Sequence, residues 1–341
     1  MPPAFTGLQT LSACLNRATL AGALSPGLAT VIAAVAASTQ RISALVGKGG
    51  LVDILGSAGQ ENVQGEVQKK LDVISNEMMI EGLAATGHLA ALASEELDHH
   101  LAVPGEQAAE RYLALFDPLD GSSNIDINAP IGTIFSLLPA VDEAPSDASF
   151  LQAGRRQVAA GYALYGPATQ LVLTFGAGVD VYTLNRDCGE YVLTSRGVRV
   201  PRAASEYAIN ASNQRFWEAP VQRYIAECQA GAQGPRGRDF NMRWNGSMVG
   251  DVHRVLSRGG VFLYPRDNKQ PPKAGRLRLM YEANPMALLM REAGALATDG
   301  RQPLLDIEPT GLHQRVPVVL GSAEEVERVA LYHAQASAGQ P

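Results

Sequence analysis

Residues 116–126, with the sequence FDPLDGSSNID, restrict the fold and the chemistry of this chain more than any other segment. The segment begins in the apolar run Tyr112–Phe116, which is typical of a buried strand. Pro118 has a fixed φ and keeps the preceding Asp117 out of the helical region. We therefore expect a buried strand that ends in a sharp turn at Asp117.

Two aspartates on this turn, Asp117 and Asp120, can direct carboxylate oxygens at one point, where the carbonyl of Leu119 can join them. Ligands that are all oxygen suit Mg²⁺ or Mn²⁺ rather than zinc. The next residues, Gly121–Asn124, offer backbone N–H groups and two hydroxyls, as an anion-binding turn does. A metal next to a phosphate site predicts phosphoryl chemistry. An Asp-rich turn before a capped helix is the alternative interpretation.

Acidic residues also follow two other predicted strands. Glu95 and Glu96 come after the apolar run Leu89–Ala93. Glu282 follows directly after the predicted strand Leu277–Tyr281. Ligands bind beyond the carboxyl ends of strands in open α/β sheets, and clustered carboxylates need a cation between them. The sequence therefore predicts that acids from several strands meet at one site.

Length and charge limit the class of protein. A chain of 341 residues is long for a single core, which predicts two domains or one large layered domain. The net charge of −6 argues against nucleic-acid binding as the main function. The three cysteines include no CxxC pair, which is typical of reduced thiols in a cytoplasm and not of a disulfide or zinc framework.

The N-terminal region has an unusual composition, because no acidic residue precedes Asp53 and Ser, Thr and Ala are plentiful. This composition resembles an organelle transit peptide. Arginine is sparse, however, and helical spacing with internal caps favours folded structure. The apolar run Leu28–Ala37 is too short to span a bilayer. We therefore expect a cytoplasmic protein with no membrane segment.

Helical spacing predicts a short helix through Leu8, Leu11 and Leu15 and a long helix from Ser25-Pro26 to about Gly47. Another helix is predicted from Val67 to Met78, and its spacing alone places Asp72 on the solvated face. Further along the chain we expect helices over 220–228, 246–256 and 286–293, a polar loop over 141–153, an antiparallel meander over 158–192 and a linker over 195–205.

Taken together, these segments resemble the class I fructose-1,6-bisphosphatases over nearly the whole chain. The matching segments are Asn62–Asp72, Ser94–Glu96, Asp117–Asp126, Gly246–Arg254 and Arg276–Ala287. The resemblance implies an α/β fold built as a layered α/β/α/β/α sandwich. It also implies an N-terminal metal- and phosphate-binding domain over residues 1–200 and a C-terminal sugar-phosphate-binding domain over residues 206–341.

The activity that the resemblance implies is hydrolysis of the 1-phosphate of D-fructose 1,6-bisphosphate by metal-activated water, in gluconeogenesis or the Calvin cycle. Such an enzyme would bind two to three Mg²⁺ ions per subunit, with Mn²⁺ as a substitute, and would form a homotetramer. Its partner would be a small sugar bisphosphate, with no nucleic acid and no membrane.

The resemblance also assigns roles to individual residues. The metal ligands would be Glu95, Asp117, the Leu119 carbonyl, Asp120 and Glu282. The acids that activate water or position a further metal would be Glu66, Asp72 and Glu96, with Glu96 as the base. The departing phosphate would bind to Asp120, Gly121, Ser122 and Ser123. The sugar and its second phosphate would contact Asn210, Arg243 (from a neighbouring subunit), Trp244, Met248, Phe262, Leu263, Tyr264 and Arg276.

Departures from the family pattern leave the substrate open. Trp244 replaces a tyrosine and so removes a phenolic hydroxyl, whereas Arg276 replaces a lysine and keeps the charge. Sedoheptulose-1,7-bisphosphatase activity, or activity on both sugars, is therefore the alternative, and an inactive sugar-phosphate-binding regulator is a weaker one.

The segment Ser25–Ala29 and Pro139 lack hydroxyls and a positive charge of the family's AMP site, which predicts weak AMP binding.

Overall fold

The computed structural model describes residues 9–52, 54–61, 67–104, 110–271 and 274–339. The helices are α1 (Leu11–Leu20), α2 (Pro26–Val46), α3 (Lys70–Ala84), α4 (Asp147–Phe150), α5 (Ala219–Gln229), α6 (Met248–Arg258), α7 (Asn284–Glu292) and α8 (Ala323–Ser337).

The strands of the N-terminal half are β1 (Ser57–Glu61), β2 (Val67–Lys69), β3 (Leu89–Ser94), β4 (Leu101–Ala102), β5 (Tyr112–Asp120), β6 (Ile131–Pro139), β7 (Ala159–Tyr165), β8 (Thr169–Thr174), β9 (Asp180–Asn185) and β10 (Glu190–Ser195). Those of the C-terminal half are β11 (Glu206–Ile209), β12 (Asn241–Met242), β13 (Val261–Tyr264), β14 (Leu277–Arg278), β15 (Leu296–Thr298), β16 (Arg315–Val316) and β17 (Val318–Gly321).

The larger sheet has eight strands among the described residues, in the order β10-β9-β8-β7-β6-β5-β3-β4. The strands β5 to β10 form an antiparallel meander, which confirms the sequence prediction for residues 158–192. β3 and β5 run parallel, so the residues that follow β3 lie beside the end of β5. This pairing brings the Glu95 segment to the aspartates of β5.

Helices α1, α2 and α3 cover one face of this sheet. Ser25 caps α2 by accepting a hydrogen bond from the Leu28 N–H, as the sequence predicts. α2 is long and apolar enough to cross a membrane by length and composition. However, its residues Val31, Ile32 and Val35 are buried in the core against the sheet.

The second sheet has the order β12-β11-β13-β17-β15. Helices α6 and α7 share one apolar core with the inner faces of both sheets, and α5 and α8 pack on the outer face of the second sheet. The layers are therefore helices, sheet, helices, sheet and helices. This arrangement confirms the predicted α/β/α/β/α sandwich.

The structure differs from the sequence predictions in four places. The helix predicted from Val67 to Met78 begins only at Lys70, after the strand β2. Strand β5 continues to Asp120, with a register shift between Asp117 and Asp120, because the strand absorbs Pro118 as an irregularity. The segment Leu277–Tyr281, predicted as a strand, is a strand only over Leu277–Arg278 and then becomes a π-helical turn. The predicted loop over 141–153 contains the short helix α4. The division into domains at 200–206 stays a prediction.

We expect Gly161→Ala to destabilise the protein. An added Cβ on this residue of β7 would lie 2.4 Å from the carbonyl oxygen of Val172 and 2.7 Å from the ring of Phe135. Overpacking of this kind costs about 1–3 kcal/mol of unfolding free energy. Urea denaturation measures this loss of unfolding free energy. Gly166→Ala is the control, because its Cβ meets nothing closer than 3.9 Å, and equal losses in the two variants would contradict the packing argument.

Candidate active site

Two aspartates of the site lie at the end of β5, in the middle of the larger sheet. Asp117 and Asp120 are both buried. The N–H of Leu119 donates to Asp117 Oδ1 over 2.9 Å, so the irregular end of the strand holds this carboxylate in place. Asp120 Oδ2 accepts the N–H of Val249, over 2.8 Å, from the first turn of α6. One carboxylate is thus oriented by its own strand and the other by the second half of the chain.

A third acid reaches the same point from the C-terminal half. Glu282 lies in the π-helical turn Leu279–Ala283, and its Oε2 accepts the N–H of Arg278 over 2.5 Å. Carboxylate oxygens of Asp117, Asp120 and Glu282 all lie within 4.8 Å of one another. The structure therefore brings together acids that are far apart in the sequence, as predicted.

Glu95 follows β3 and is also buried, beside Asp117 on the adjacent parallel strand. Its Oε1 forms an ion pair with Arg278 Nη1 over 2.5 Å, while its Oε2 is buried without a hydrogen-bond partner among the described residues. Glu96 is half-buried, and its charge raises the pKa of Asp72 after the larger effect of burial. Both acids predicted at the end of β3 therefore face the site.

Asp72 does not lie on a solvated helix face, so that interpretation of the helical spacing is wrong. The residue is buried at the start of α3, where Oδ2 accepts the Lys69 N–H over 2.8 Å. Its Oδ1 accepts the Ser122 hydroxyl over 2.8 Å. These contacts tie α3 to the predicted phosphate turn. Glu66, which the resemblance groups with Asp72, lies outside the described residues.

The predicted phosphate turn is open to solvent. Gly121 has φ +85°, and a Cβ there would lie 2.5 Å from the Cβ of Ser247, so both the conformation and the packing require glycine. Ser122 and Ser123 then form a 3₁₀ turn with Asn124, and Ser123 is exposed. The turn presents hydroxyls and backbone N–H groups beside the buried acids.

Burial and mutual repulsion oppose the ionisation of these acids. Burial, and then the charge of Glu282, raise the pKa of Glu95 to about 8. Burial raises the pKa of Asp120 to about 7 and that of Glu282 to about 7. The pKa of Asp117 is raised well above its usual value by burial and then by Glu95 and Asp120. The positive charge of Arg278 does not offset these effects.

These residues fit a hard divalent cation. The converging groups are carboxylate oxygens without nitrogen or sulfur, which are ligands that Mg²⁺ and Mn²⁺ prefer. Glu95 offers one more buried oxygen that lacks a partner among the described residues. A cation would also remove the repulsion that raises the pKa values of these acids.

An aromatic cluster lies on the C-terminal side. The ring of Trp244 stacks on Phe262, with centroids 6.1 Å apart and an angle of 3° between the planes, and it also contacts Tyr264. Burial raises the pKa of Tyr264, and the nearby positive charge of Arg276 partly opposes this shift. The structure therefore places together four of the residues predicted to contact the sugar and its second phosphate.

The other predicted substrate contacts occupy different positions. The Leu263 side chain is fully buried on the outer face of the sheet with α5 and α8, and the substrate contact assigned to this residue stays a prediction. Met248 is buried at the start of α6, and Asn210 caps a 3₁₀ turn by accepting the Ser212 N–H. Arg243 is exposed and lines a surface cavity of about 430 Å³ with Arg254 and Arg258 among others.

The sequence reasoning missed two residues of the site. Arg278 contacts Glu95 and Glu282, and its position in the segment before Glu282 was the available signal. Asp267 is buried and forms an ion pair with Arg276 over 2.8 Å. No local sequence pattern indicates that Asp267 belongs to the site, because it contacts Arg276 across a loop.

A separate cavity of about 420 Å³ is lined by Ser25, Leu28, Tyr112 and Pro139 among others, which include the positions that depart from the family's AMP site. Ser25 and Glu110 both contact the hydroxyl of Tyr112, over 2.8 and 2.5 Å. Glu110 and Arg111 both line this cavity and carry opposite charges, whereas Pro139 adds no positive charge to it. Weak AMP binding stays a prediction.

Comparisons with known proteins give one consistent result. The model described as "Fructose-1-6-bisphosphatase, N-terminal domain" matches residues 9–196, and that described as "Fructose-1-6-bisphosphatase, C-terminal domain" matches residues 200–334. The chain is similar to the crystal structure of Leishmania major fructose-1,6-bisphosphatase in holo form. The two are 35% identical over 96% of this chain and 99% of that chain, with a TM-score of 0.89.

We expect Mg²⁺ to raise the melting temperature of the wild type and not that of Asp117→Asn. At a Mg²⁺ concentration about a hundred times the dissociation constant, the gain corresponds to about 2.7 kcal/mol. In EDTA the variant should be at least as stable as the wild type, because a buried repulsive charge is removed while the acceptor for the Leu119 N–H is kept. Differential scanning fluorimetry with and without Mg²⁺ measures both effects.

Glu308→Gln is the control for this experiment, because Glu308 is exposed and pairs with Arg155 away from the acid cluster. This variant should keep the full Mg²⁺ effect. A Mg²⁺ effect that survives in Asp117→Asn, or is absent from the wild type, would contradict the assignment of the cation site.

Proposed function

This chain belongs to the fructose-1,6-bisphosphatase family and is a phosphatase, and we propose that it removes the 1-phosphate of D-fructose 1,6-bisphosphate. The products are fructose 6-phosphate and phosphate. The observation that carries the proposal is the convergence of buried Asp117, Asp120 and Glu282 beside an open turn of N–H and hydroxyl groups. Such a site suits a phosphate ester bound next to metal ions.

The metal ions of this family would be held by Glu95, Asp117, Asp120, Glu282 and the carbonyl of Leu119. Bound Mg²⁺ would supply positive charge to the phosphate and to the attacking and leaving oxygens. The chain's own contribution is the position of the ligands, because the carboxylates of Asp117, Asp120 and Glu282 each accept a backbone N–H.

The turn Gly121–Ser123 would bind the departing phosphate. The Ser122 hydroxyl lies 2.8 Å from Asp72 Oδ1 and 3.2 Å from the Leu119 carbonyl, with no histidine in contact with it among the described residues. Because no histidine base accompanies this serine, we assign Ser122 as a phosphate ligand and not as a nucleophile. Its link to Asp72 holds that acid near the position of the attacking water.

Glu96 and Asp72 would remove the proton from this water. The pKa of Asp72 is raised to about 6, mainly by burial, which makes this carboxylate a stronger base than a free aspartate. Glu96 is half-buried and follows Glu95 directly, so it can exchange protons with solvent. We assign Glu96 as the base and Asp72 as an assisting group.

The C-terminal side would bind the sugar and the second phosphate. Arg276 uses Nε and Nη2 to contact Asp267, which leaves its remaining Nη1 for an anion. Arg243 is exposed at the edge of the sheet, and this position agrees with our proposal that it acts across a subunit boundary in a homotetramer. A cytoplasmic location and a role in gluconeogenesis or the Calvin cycle belong to the same proposal.

Sedoheptulose 1,7-bisphosphate is the second candidate substrate, and Trp244 favours it. The indole stacks on Phe262 and has no hydroxyl with which to bind the second phosphate of the shorter sugar. Values of kcat/KM for the two bisphosphates, measured on the same preparation, decide between them. A much higher value for the seven-carbon sugar would overturn the choice of fructose 1,6-bisphosphate.

We expect phosphate release from fructose 1,6-bisphosphate to require Mg²⁺ and to yield fructose 6-phosphate in equal amount. Asp117→Ala and Glu282→Ala should each lower kcat by about 10²–10³-fold, because each removes a ligand of the charge-stabilising site. Glu308→Gln is the control and should keep full activity, since its side chain pairs with Arg155. Full activity of either alanine variant would refute the assigned metal ligands.

We expect Trp244→Tyr to lower KM for fructose 1,6-bisphosphate by about tenfold, since a hydrogen bond to a charged phosphate contributes about 1.5–3 kcal/mol. Its KM for fructose 1-phosphate, which lacks the second phosphate, should change little. Steady-state kinetics with the two substrates measures the difference. Equal changes for both substrates would show that Trp244 does not face the second phosphate.

A further inference from the structure

The turn Trp244–Ser247 is joined to the phosphate turn by Asn124. This asparagine is buried, and its Nδ2 donates to the carbonyls of Pro130 and Asn245, each over 3.0 Å. Gly246 has φ +82°, and a Cβ there would lie 3.5 Å from Asn124 Oδ1. The two turns are therefore in direct and specific contact.

Asp251 holds the same turn from the other side. It lies in the first turn of α6 and is 1% exposed. Its Oδ1 accepts two hydrogen bonds from Asn245, over 2.9 Å from the backbone N–H and 3.0 Å from the side-chain Nδ2. Its Oδ2 is buried and has no hydrogen-bond partner among the described residues. A buried carboxylate with one orphaned oxygen is costly, so its retention calls for an explanation.

The turn that these residues hold connects two parts of the site. Trp244 precedes Asn245 directly and belongs to the aromatic cluster with Phe262. After the turn, the N–H of Val249 binds Asp120. The distance between the phosphate turn and the aromatic cluster is therefore set through one short segment.

We propose that Asp251 and Asn124 are positioning residues that hold the Trp244–Ser247 turn against the phosphate turn and so favour substrates with a phosphate at both ends. This inference rests on the proposed function. A substrate with two phosphates can use the binding energy of its second phosphate to position the phosphate that is hydrolysed. This requires that the two phosphate subsites are held at a constant separation. Neither residue contacts the substrate in this proposal.

Kinetics with two substrates test the proposal. Asp251→Ala should lower kcat/KM for fructose 1,6-bisphosphate by about 10–100-fold, because it removes the acceptor of both hydrogen bonds from Asn245 and small misplacements are costly in catalysis. Its kcat/KM for fructose 1-phosphate should fall by less than about threefold. Equal losses for both substrates would show a merely structural role and overturn the proposal. Asp180→Ala is the control, since Asp180 holds the Gly197 N–H in a turn of the larger sheet, and it should change neither value.

A double-mutant cycle tests whether the two residues act together. Asn124→Ala breaks the contact with Asn245 from the opposite side. If both residues hold the same turn, kcat/KM of the double variant for fructose 1,6-bisphosphate should be no lower than that of the poorer single variant. If the free-energy losses in kcat/KM of the two single variants add up fully in the double variant, the two residues act independently, and this result would overturn their joint role.

Tryptophan fluorescence gives a readout that does not depend on activity. The chain has two tryptophans, Trp217 and Trp244, so a Trp217→Phe background isolates the signal of Trp244. In this background Asp251→Ala should shift the emission to the red and increase quenching by acrylamide, whereas Asp180→Ala should change neither. An unchanged spectrum would overturn the proposal. If the wild type hydrolyses no sugar bisphosphate, the proposed function fails, but this measurement still tests the positioning of Trp244.

Discussion

The structure depends on the burial of four carboxylates at one place between its two large sheets. Glu95, Asp117, Asp120 and Glu282 come from three separate segments, and each is shielded from water. Burial and repulsion raise the pKa values of all four, and the positive charge of Arg278 opposes only part of this effect. Without a cation, keeping these carboxylates together lowers the free energy of unfolding. We therefore expect that the protein keeps them because its function requires them.

Several local features can be understood as ways of bringing the acids together. The parallel pairing of β3 with β5 sets Glu95 next to Asp117, although all the other neighbours in the larger sheet run antiparallel. The irregular end of β5 allows both of its aspartates to take part. The π-helical turn before α7 directs Glu282 back towards them. π-helical turns of this kind are rare and occur often at functional sites.

The two halves of the chain meet along a line of specific contacts. Asp120 binds the start of α6, Gly121 packs on Ser247, and Asn124 binds Asn245. These contacts lie between the acid cluster and the aromatic residues around Trp244. In the proposed function, these contacts would set the position of the phosphate turn of the N-terminal half relative to the sugar-binding residues of the C-terminal half.

The residue pattern was sufficient to predict the strands, the meander and most of the acids, because apolar runs, turn residues and strand-end carboxylates are local signals. It was misleading for Asp72, whose helical position looked solvated until Ser122, fifty residues away, proved to bind it. It also could not show that Leu263 faces away from the site, that Arg278 contacts Glu95, or that Asp251 holds the turn at Asn245. The spacing of residues along the chain indicates which residues belong to one helix or strand. The burial of a side chain and its contact partners depend instead on which segments pack together.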